Sequence, residues 1–130
     1  MNFMLFSNVF LFLPVIISAW KGEWVYFTFA LGLAIFSPIY HYLSENKTDK
    51  TNFLKITKNL DWLFAVGAYA YMYYFIFAKV EVYQNLLFVL LTFTVIFFWY
   101  GYKFANYKKW HPWFHIVAPI VSSFIVLLGS

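Results

Sequence analysis

Long apolar stretches alternate with short polar connections along most of this chain. The apolar runs cover residues 3–20, 24–43, 59–78, 83–101 and 112–129. Each has about 18 to 20 residues, which at ~1.5 Å per residue just crosses a hydrocarbon core of ~30 Å. Because the runs are continuous rather than alternating, they predict helices and not the strands of a barrel. The pattern therefore predicts an all-α integral membrane bundle of about five transmembrane helices, with residues 1–130 as a single domain.

The first apolar stretch could be mistaken for a signal peptide. It reads MNFMLFSNVFLFLPVIISAW, and its last residues resemble a signal-peptidase site. A signal peptide begins with a positively charged region, however, and the first basic residue here is Lys21. We therefore interpret this stretch as the first membrane span.

Composition indicates that lipid is the solvent for most of the chain. It is 64% hydrophobic and 27% aromatic, and 11% of its residues are charged, whereas a soluble domain has about 25% charged residues. In such a protein the net charge of +4 concerns topology and lipid headgroups, so we expect no nucleic-acid partner. The chain has no cysteine, which excludes disulfides, thiolate nucleophiles and cysteine metal sites.

The distribution of lysine predicts the orientation. The second connection carries four lysines and the fourth carries three, whereas the first and third have only Lys21 and Lys79. Basic residues are enriched in cytoplasmic loops, so we expect the N-terminus in the cytoplasm and the C-terminus outside. The expected location is a bacterial inner membrane or an equivalent membrane, crossed several times.

The second connection also shows a helical spacing of apolar residues. Phe53, Ile56 and Leu60 recur at this spacing, and they are interleaved with lysines: Lys50, Lys55 and Lys58. This pattern is typical of a short interfacial helix that leads into the third span. An irregular polar loop fits the same residues, and the sequence leaves both alternatives open.

The polar residues of the predicted spans collect at one end of the bundle. Ser37 and His41 lie four positions apart near the cytoplasmic end of the second span, and Asp61 opens the third. His111 and His115, also four apart, open the fifth span, which enters from the same side. Residues four apart share a helix face. Since ionisable groups are costly in a bilayer and mark functional sites, the pattern predicts one site near the cytoplasmic face.

Three neutral imidazoles suit zinc and leave a fourth tetrahedral position for water. Asp61 could accept a hydrogen bond from that water or from a ligating ring, and Ser37 could hydrogen-bond the water, the tetrahedral intermediate or Asp61. Each residue alone also has a simpler interpretation. His41 could form an interhelical hydrogen bond, the His-x-x-x-His pair could face headgroups or arise by chance, Asp61 could be a helix N-terminal charge, and Ser37 could bond its own backbone.

Together these residues resemble the CREST superfamily of membrane hydrolases. That group includes alkaline ceramidases, the progestin and adiponectin receptors, haemolysin-III-like proteins and myomaker-like proteins. The likeness rests on Ser-x-x-x-His (Ser37, His41), on Asp61 and on His-x-x-x-His (His111, His115). It implies a Zn²⁺ ion held by the three histidines, with Asp61 and Ser37 as catalytic residues beside a zinc-bound water that acts as nucleophile. It also implies hydrolysis of an amide or ester in a lipid taken from the bilayer, with ceramide as the best-known substrate.

The predicted span number departs from this superfamily. Its members usually have seven spans, so two helices between the Asp61 span and the His-x-x-x-His span are missing here. The three histidines and Asp61 survive that loss, but the lipid-holding cavity is reduced. Either a homo-oligomer completes the pocket, or a smaller cavity takes a smaller lipid.

Three functions stay open at the level of sequence. The first is a zinc-dependent, ceramidase-like hydrolase of a lipid amide or ester. The second is a non-catalytic relative in which zinc stabilises a lipid-binding or membrane-remodelling protein. The third is a haem protein, which the histidine pair disfavours because two rings one turn apart cannot bind opposite faces of one porphyrin. The chain shows no nucleophile elbow and no carboxylate pair for glycosidic chemistry, and the lack of a Gly-rich phosphate loop argues against soluble nucleotide enzymes.

Overall fold

The computed structural model describes residues 6–46, 52–104 and 107–129, and it is helical nearly throughout. A 3-10 turn is followed by five α-helices: Asn8–Leu11, then α1 Phe12–Lys21, α2 Trp24–Asn46, α3 Asn52–Lys79, α4 Gln84–Lys103 and α5 Tyr107–Gly129. The all-α prediction is confirmed for the described residues, which contain no strand. Helices α2 to α5 are each long and apolar enough to cross a membrane, which identifies a membrane protein by length and composition.

The first predicted span, 3–20, is shorter than expected in the described part of the chain. A four-residue 3-10 turn precedes the ten-residue helix α1, and residues 1–5 lie outside the described residues. A full crossing needs about 20 residues, so the described residues contain four helices of spanning length rather than five. Helix α1 ends at Gly22, whose left-handed conformation (φ 72°) lets the chain turn sharply into α2.

Helix α3 begins at Asn52, well before the predicted third span. The helical alternative for the second connection is therefore confirmed from this residue onward, as the first turns of α3 rather than as a separate helix. Phe53 and Ile56 are both exposed there, as expected for side chains at a membrane interface. Lys50, which belongs to the same pattern, lies outside the described residues.

Helix α5 also begins earlier than the apolar run suggests. The run starts at residue 112 and places Pro112 in the first turn, but the helix begins at Tyr107 and Pro112 lies inside it. Proline has no backbone N–H, so one helical hydrogen bond is missing at this position. The earlier start brings His111 into the same continuous helix as His115, and this fixes their relative position.

Helices α2 and α3 pack closely because two glycines admit aromatic rings onto the helix backbone. Phe64 of α3 lies over Gly32 of α2, and Phe29 of α2 lies over Gly67 of α3. A Cβ atom at either glycine would overlap the facing ring. Phe64 also stacks on Phe36, with ring centroids 5.7 Å apart. We call these reciprocal contacts the Gly–Phe interlock.

We expect Gly67→Leu to destabilise the bundle, because the new side chain must displace the Phe29 ring from a filled interface. Overpacking of this kind costs about 1–3 kcal/mol, and thermal unfolding in detergent should detect the lower midpoint. Ala78→Leu is the matched control, since Ala78 is an exposed residue of the same helix. Equal midpoints for the two variants would contradict the interlock.

Polar contacts tie the helices together at the end of the bundle that lies opposite the histidines. Lys79 at the end of α3 forms an ion pair with Glu23, with Nζ to Oε1 at 3.2 Å. The Gln84 side chain donates hydrogen bonds to the carbonyl oxygens of Ile76 (3.0 Å) and Val80 (3.2 Å). These bonds tie the start of α4 to carbonyl groups in the last turn of α3 and just beyond it.

Candidate metal centre

The three histidines of the chain meet between α2 and α5. The ring centroid of His41 lies 5.1 Å from that of His111 and 5.0 Å from that of His115. The two rings of α5 are 4.4 Å apart. All three side chains are buried, with exposed fractions of 3%, 8% and 4% in chain order. The four-residue spacing of the pair and the position of His41 near the end of α2 produce this arrangement, as the sequence predicts.

The donor set fits a metal ion. One ring nitrogen from each histidine lies within 4.8 Å of the other two, and this is the only group of three such ligands among the described residues. Tetrahedral zinc with Zn–N bonds of ~2.0–2.1 Å holds its nitrogens about 3.4 Å apart. The three buried histidines could therefore hold a metal ion, and nitrogen ligands of this kind suit several transition metals.

Ser37 and Asp61 form a second polar group beside the histidines. Ser37 is buried, with an exposed fraction of 2%, and its hydroxyl donates a hydrogen bond to the Asp61 carboxyl group on α3. Asp61 and Ser37 line the same cavity as His111 and His115. The structure thus brings all five residues of the predicted site to one end of the bundle. Helix α2 supplies both His41, whose ring lies beside the histidines of α5, and Ser37, whose hydroxyl bonds to Asp61 of α3.

A cavity of about 540 Å³ begins at these residues and runs along the inside of the bundle. Its lining is mostly apolar, and its polar members at the site end include Asp61 and Tyr40. The lining continues on α2 as far as Tyr26, eleven residues before Ser37, which corresponds to about 16 Å along the helix. Past that point α3 and α5 present fully buried core residues such as Phe75 and Ile125, which close the cavity.

The cavity reaches the outer surface between α3 and α4. Five of its lining residues on these helices are themselves exposed: Trp62, Val66, Ala70, Val95 and Trp99. These two helices pack less extensively against each other than α2 packs against α3. The cavity therefore has a lateral opening between these two helices, bordered by apolar side chains.

Sequence reasoning missed Ser7, which belongs to the histidine cluster. Its Oγ atom lies 3.1 Å from Nδ1 of His115, and the side chain is fully buried, with an exposed fraction of 0%. Ser7 and the neighbouring Asn8, also buried, form an adjacent polar pair in an otherwise apolar run. That pair lies at the same end of the bundle as the histidines, and this was the signal that could have identified Ser7.

No family model, curated protein or solved structure matches this chain. The resemblance to the CREST superfamily therefore rests on five residues of the sequence and stays a prediction. The chemistry of the site has to be argued from those residues.

Proposed function

We propose that this protein is a zinc-dependent intramembrane hydrolase of a lipid amide or ester, similar to the CREST enzymes. One observation carries the proposal: two members of the buried three-histidine cluster, His111 and His115, line the same apolar cavity as the Ser37–Asp61 pair. A histidine cluster that only stabilised the fold would need neither a carboxylate nor a cavity beside it. Apolar pockets with a few convergent polar groups are typical of binding and catalytic sites.

A zinc ion bound by the three histidines would supply a Lewis acid at the end of the cavity, which favours attack of water on a carbonyl group. Asp61 would take a proton from the attacking water and pass it to the leaving nitrogen or oxygen. The C–N or C–O bond then breaks and yields a carboxylic acid with an amine or an alcohol. Ser37 keeps the Asp61 carboxylate in position through its hydrogen bond.

The cavity favours a substrate with one acyl chain in the pocket. Its volume of about 540 Å³ lies within the ~300–1,000 Å³ range of pockets for single small molecules. The apolar lining suits a hydrocarbon chain, and the polar end suits the scissile carbonyl. The lateral opening between α3 and α4 gives such a chain a route from the bilayer. Of the two alternatives left by the missing helices, this supports a smaller cavity that takes a smaller lipid rather than a homo-oligomer.

We also propose that the metal centre lies near the cytoplasmic face of a bacterial inner membrane or an equivalent membrane. Exposed lysines flank the histidine end of the bundle, among them Lys55, Lys58, Lys103 and Lys109. Their number supports a cytoplasmic N-terminus and an outer C-terminus by the positive-inside rule. In this proposal residues 3–20 form a membrane-embedded segment in addition to the four helices α2 to α5.

The test is to purify the protein in detergent, measure bound metals by elemental analysis and assay hydrolysis of N-acyl amides and acyl esters of graded chain length. We expect about one zinc per chain and turnover that stops when zinc is chelated and returns when zinc is restored. One zinc per chain without turnover of any lipid in the panel would overturn the hydrolase and favour the non-catalytic, zinc-stabilised alternative.

Filling the cavity should block hydrolysis without removing the metal. Ala118 lines the cavity on α5, so Ala118→Phe places a ring where we expect the acyl chain. Misplacing the scissile carbonyl by about an ångström can cost 100-fold in rate, and we expect a loss of about that size with unchanged zinc content. Ile120→Phe is the control, because Ile120 is exposed on the outside of the same helix. Equal turnover in both variants would show that the cavity holds no substrate.

A further inference from the structure

The short segment before α1 places a buried hydroxyl directly on the metal centre. The Oγ atom of Ser7 and the Nδ1 atom of His115 are 3.1 Å apart, although 108 residues separate them in the chain. Both side chains are buried, with exposed fractions of 0% and 4%. The 3-10 turn Asn8–Leu11 packs against both α5 and α2, so the helices that supply the three histidines hold Ser7 in place.

Ser7 makes no side-chain capping bond to the 3-10 turn that follows it. It stands at the N-cap of the 3-10 turn, where a serine side chain commonly accepts a hydrogen bond from a backbone N–H. Its hydroxyl makes no capping bond there, and the backbone is helical, with φ −63°. The hydroxyl is instead directed toward His115 of a distant helix. This hydrogen bond therefore links the segment before α1 to α5.

A hydrogen bond at Nδ1 determines which nitrogen of His115 can bind a metal. A neutral imidazole carries its proton on one nitrogen and its free electron pair on the other. When Nδ1–H donates to Ser7 Oγ, Nε2 has the electron pair and can act as a ligand. The bond also fixes the orientation of the ring and increases the basicity of Nε2, as partners of metal-bound histidines commonly do.

We infer that Ser7 is a positioning residue of the metal centre, which holds the His115 ring in the Nδ1–H tautomer and presents Nε2 to a zinc ion. This inference rests on the proposed zinc site at His41, His111 and His115. It assigns the segment that precedes α1 a part in metal binding, so the centre is built from α2, α5 and this segment.

The test compares Ser7→Thr with Ser7→Val, which have nearly the same shape and differ in the hydroxyl group. Zinc affinity is measured for the full chain in detergent by competition with a chelating dye. Loss of a partner to a metal-bound histidine typically costs 10–100-fold in affinity, so we expect a loss in that range for Ser7→Val and little change for Ser7→Thr. Ser18→Ala is the control, since Ser18 is also fully buried but donates to its own helix at Pro14 O (2.6 Å).

A second measurement reports the tautomer directly and requires no metal. In ¹⁵N-histidine-labelled protein, we expect the nitrogen shifts of His115 to show protonated Nδ1 in the wild type and in Ser7→Thr. In Ser7→Val the Nε2–H form should gain population. Zinc affinity and His115 shifts that are the same in the Thr and Val variants would overturn the inference while leaving the proposed function intact. A wild-type protein that binds no zinc would overturn both this inference and the proposed function. Equal losses of zinc affinity in Ser18→Ala and Ser7→Val would show that Ser7 contributes only packing.

Discussion

Asp61→Ala should abolish lipid hydrolysis while the protein keeps its zinc. In the proposed reaction Asp61 carries the proton from water to the leaving group, and a positioned acid–base group contributes about 10²–10⁴-fold to a rate. Asp61 is not one of the three ligands of the proposed site, so metal content should stay at about one per chain. Turnover is measured as fatty acid released from the preferred lipid of the panel, with elemental analysis of the same sample.

Two further variants separate proton transfer from packing at this position. Asp61→Asn keeps the size of the side chain and can still accept a hydrogen bond from Ser37, but it cannot take a proton at neutral pH, so it should be as inactive as alanine. Asn59→Ala removes an exposed polar side chain from the same helix and should have wild-type turnover. Activity that survives in Asp61→Asn would show that the group only holds Ser37 in place.

His115→Ala should remove the metal. The variant leaves two of three protein ligands, so we expect a loss of affinity larger than the 10–100-fold typical of a lost outer partner, and a zinc content near zero after dialysis. His115→Cys supplies a thiolate, which is also a good zinc ligand, and should retain part of the affinity. Trp113→Ala is the control, because Trp113 is an exposed residue on the same helix.

Thermal unfolding tests independently whether the three histidines bind the metal. A metal that binds only the folded state stabilises it by mass action. Chelation should therefore lower the unfolding midpoint of the wild type and leave that of His115→Ala unchanged. If chelation lowers both midpoints equally, the bound zinc lies elsewhere and the three-histidine site is wrong.

The sequence predicts the metal-binding cluster well because the cost of burying polar groups in lipid limits where they can lie. Residues such as Ser37 and His41 share a helix face through their spacing, and the alternation of spans puts them at the same depth as His111 and His115. The shared helix face and the shared depth fix where these side chains can lie, so only the choice of neighbouring helices remains open. The same reasoning identifies α2 to α5, because each is a long apolar run.

Other features depend on packing and could not be read from periodicity. The Ser7–His115 bond joins residues that are 108 positions apart, and the polar pair Ser7–Asn8 does not by itself indicate which residue is the partner. The volume and opening of the cavity depend on how far α3 and α4 stand apart. The start of α5 at Tyr107 was missed because polar residues before Pro112 end the apolar run, although they do not end the helix.

The Gly–Phe interlock has a consequence for how a substrate could enter and a product leave. It joins α2 and α3 through rings seated on Gly32 and Gly67, so these two helices should shift together as one rigid pair. Helix α4 contributes none of the five predicted site residues and borders the lateral opening. Outward movement of α4 can therefore widen the passage for a hydrocarbon tail while the spacing between the Ser37 hydroxyl and the Asp61 carboxylate stays constant.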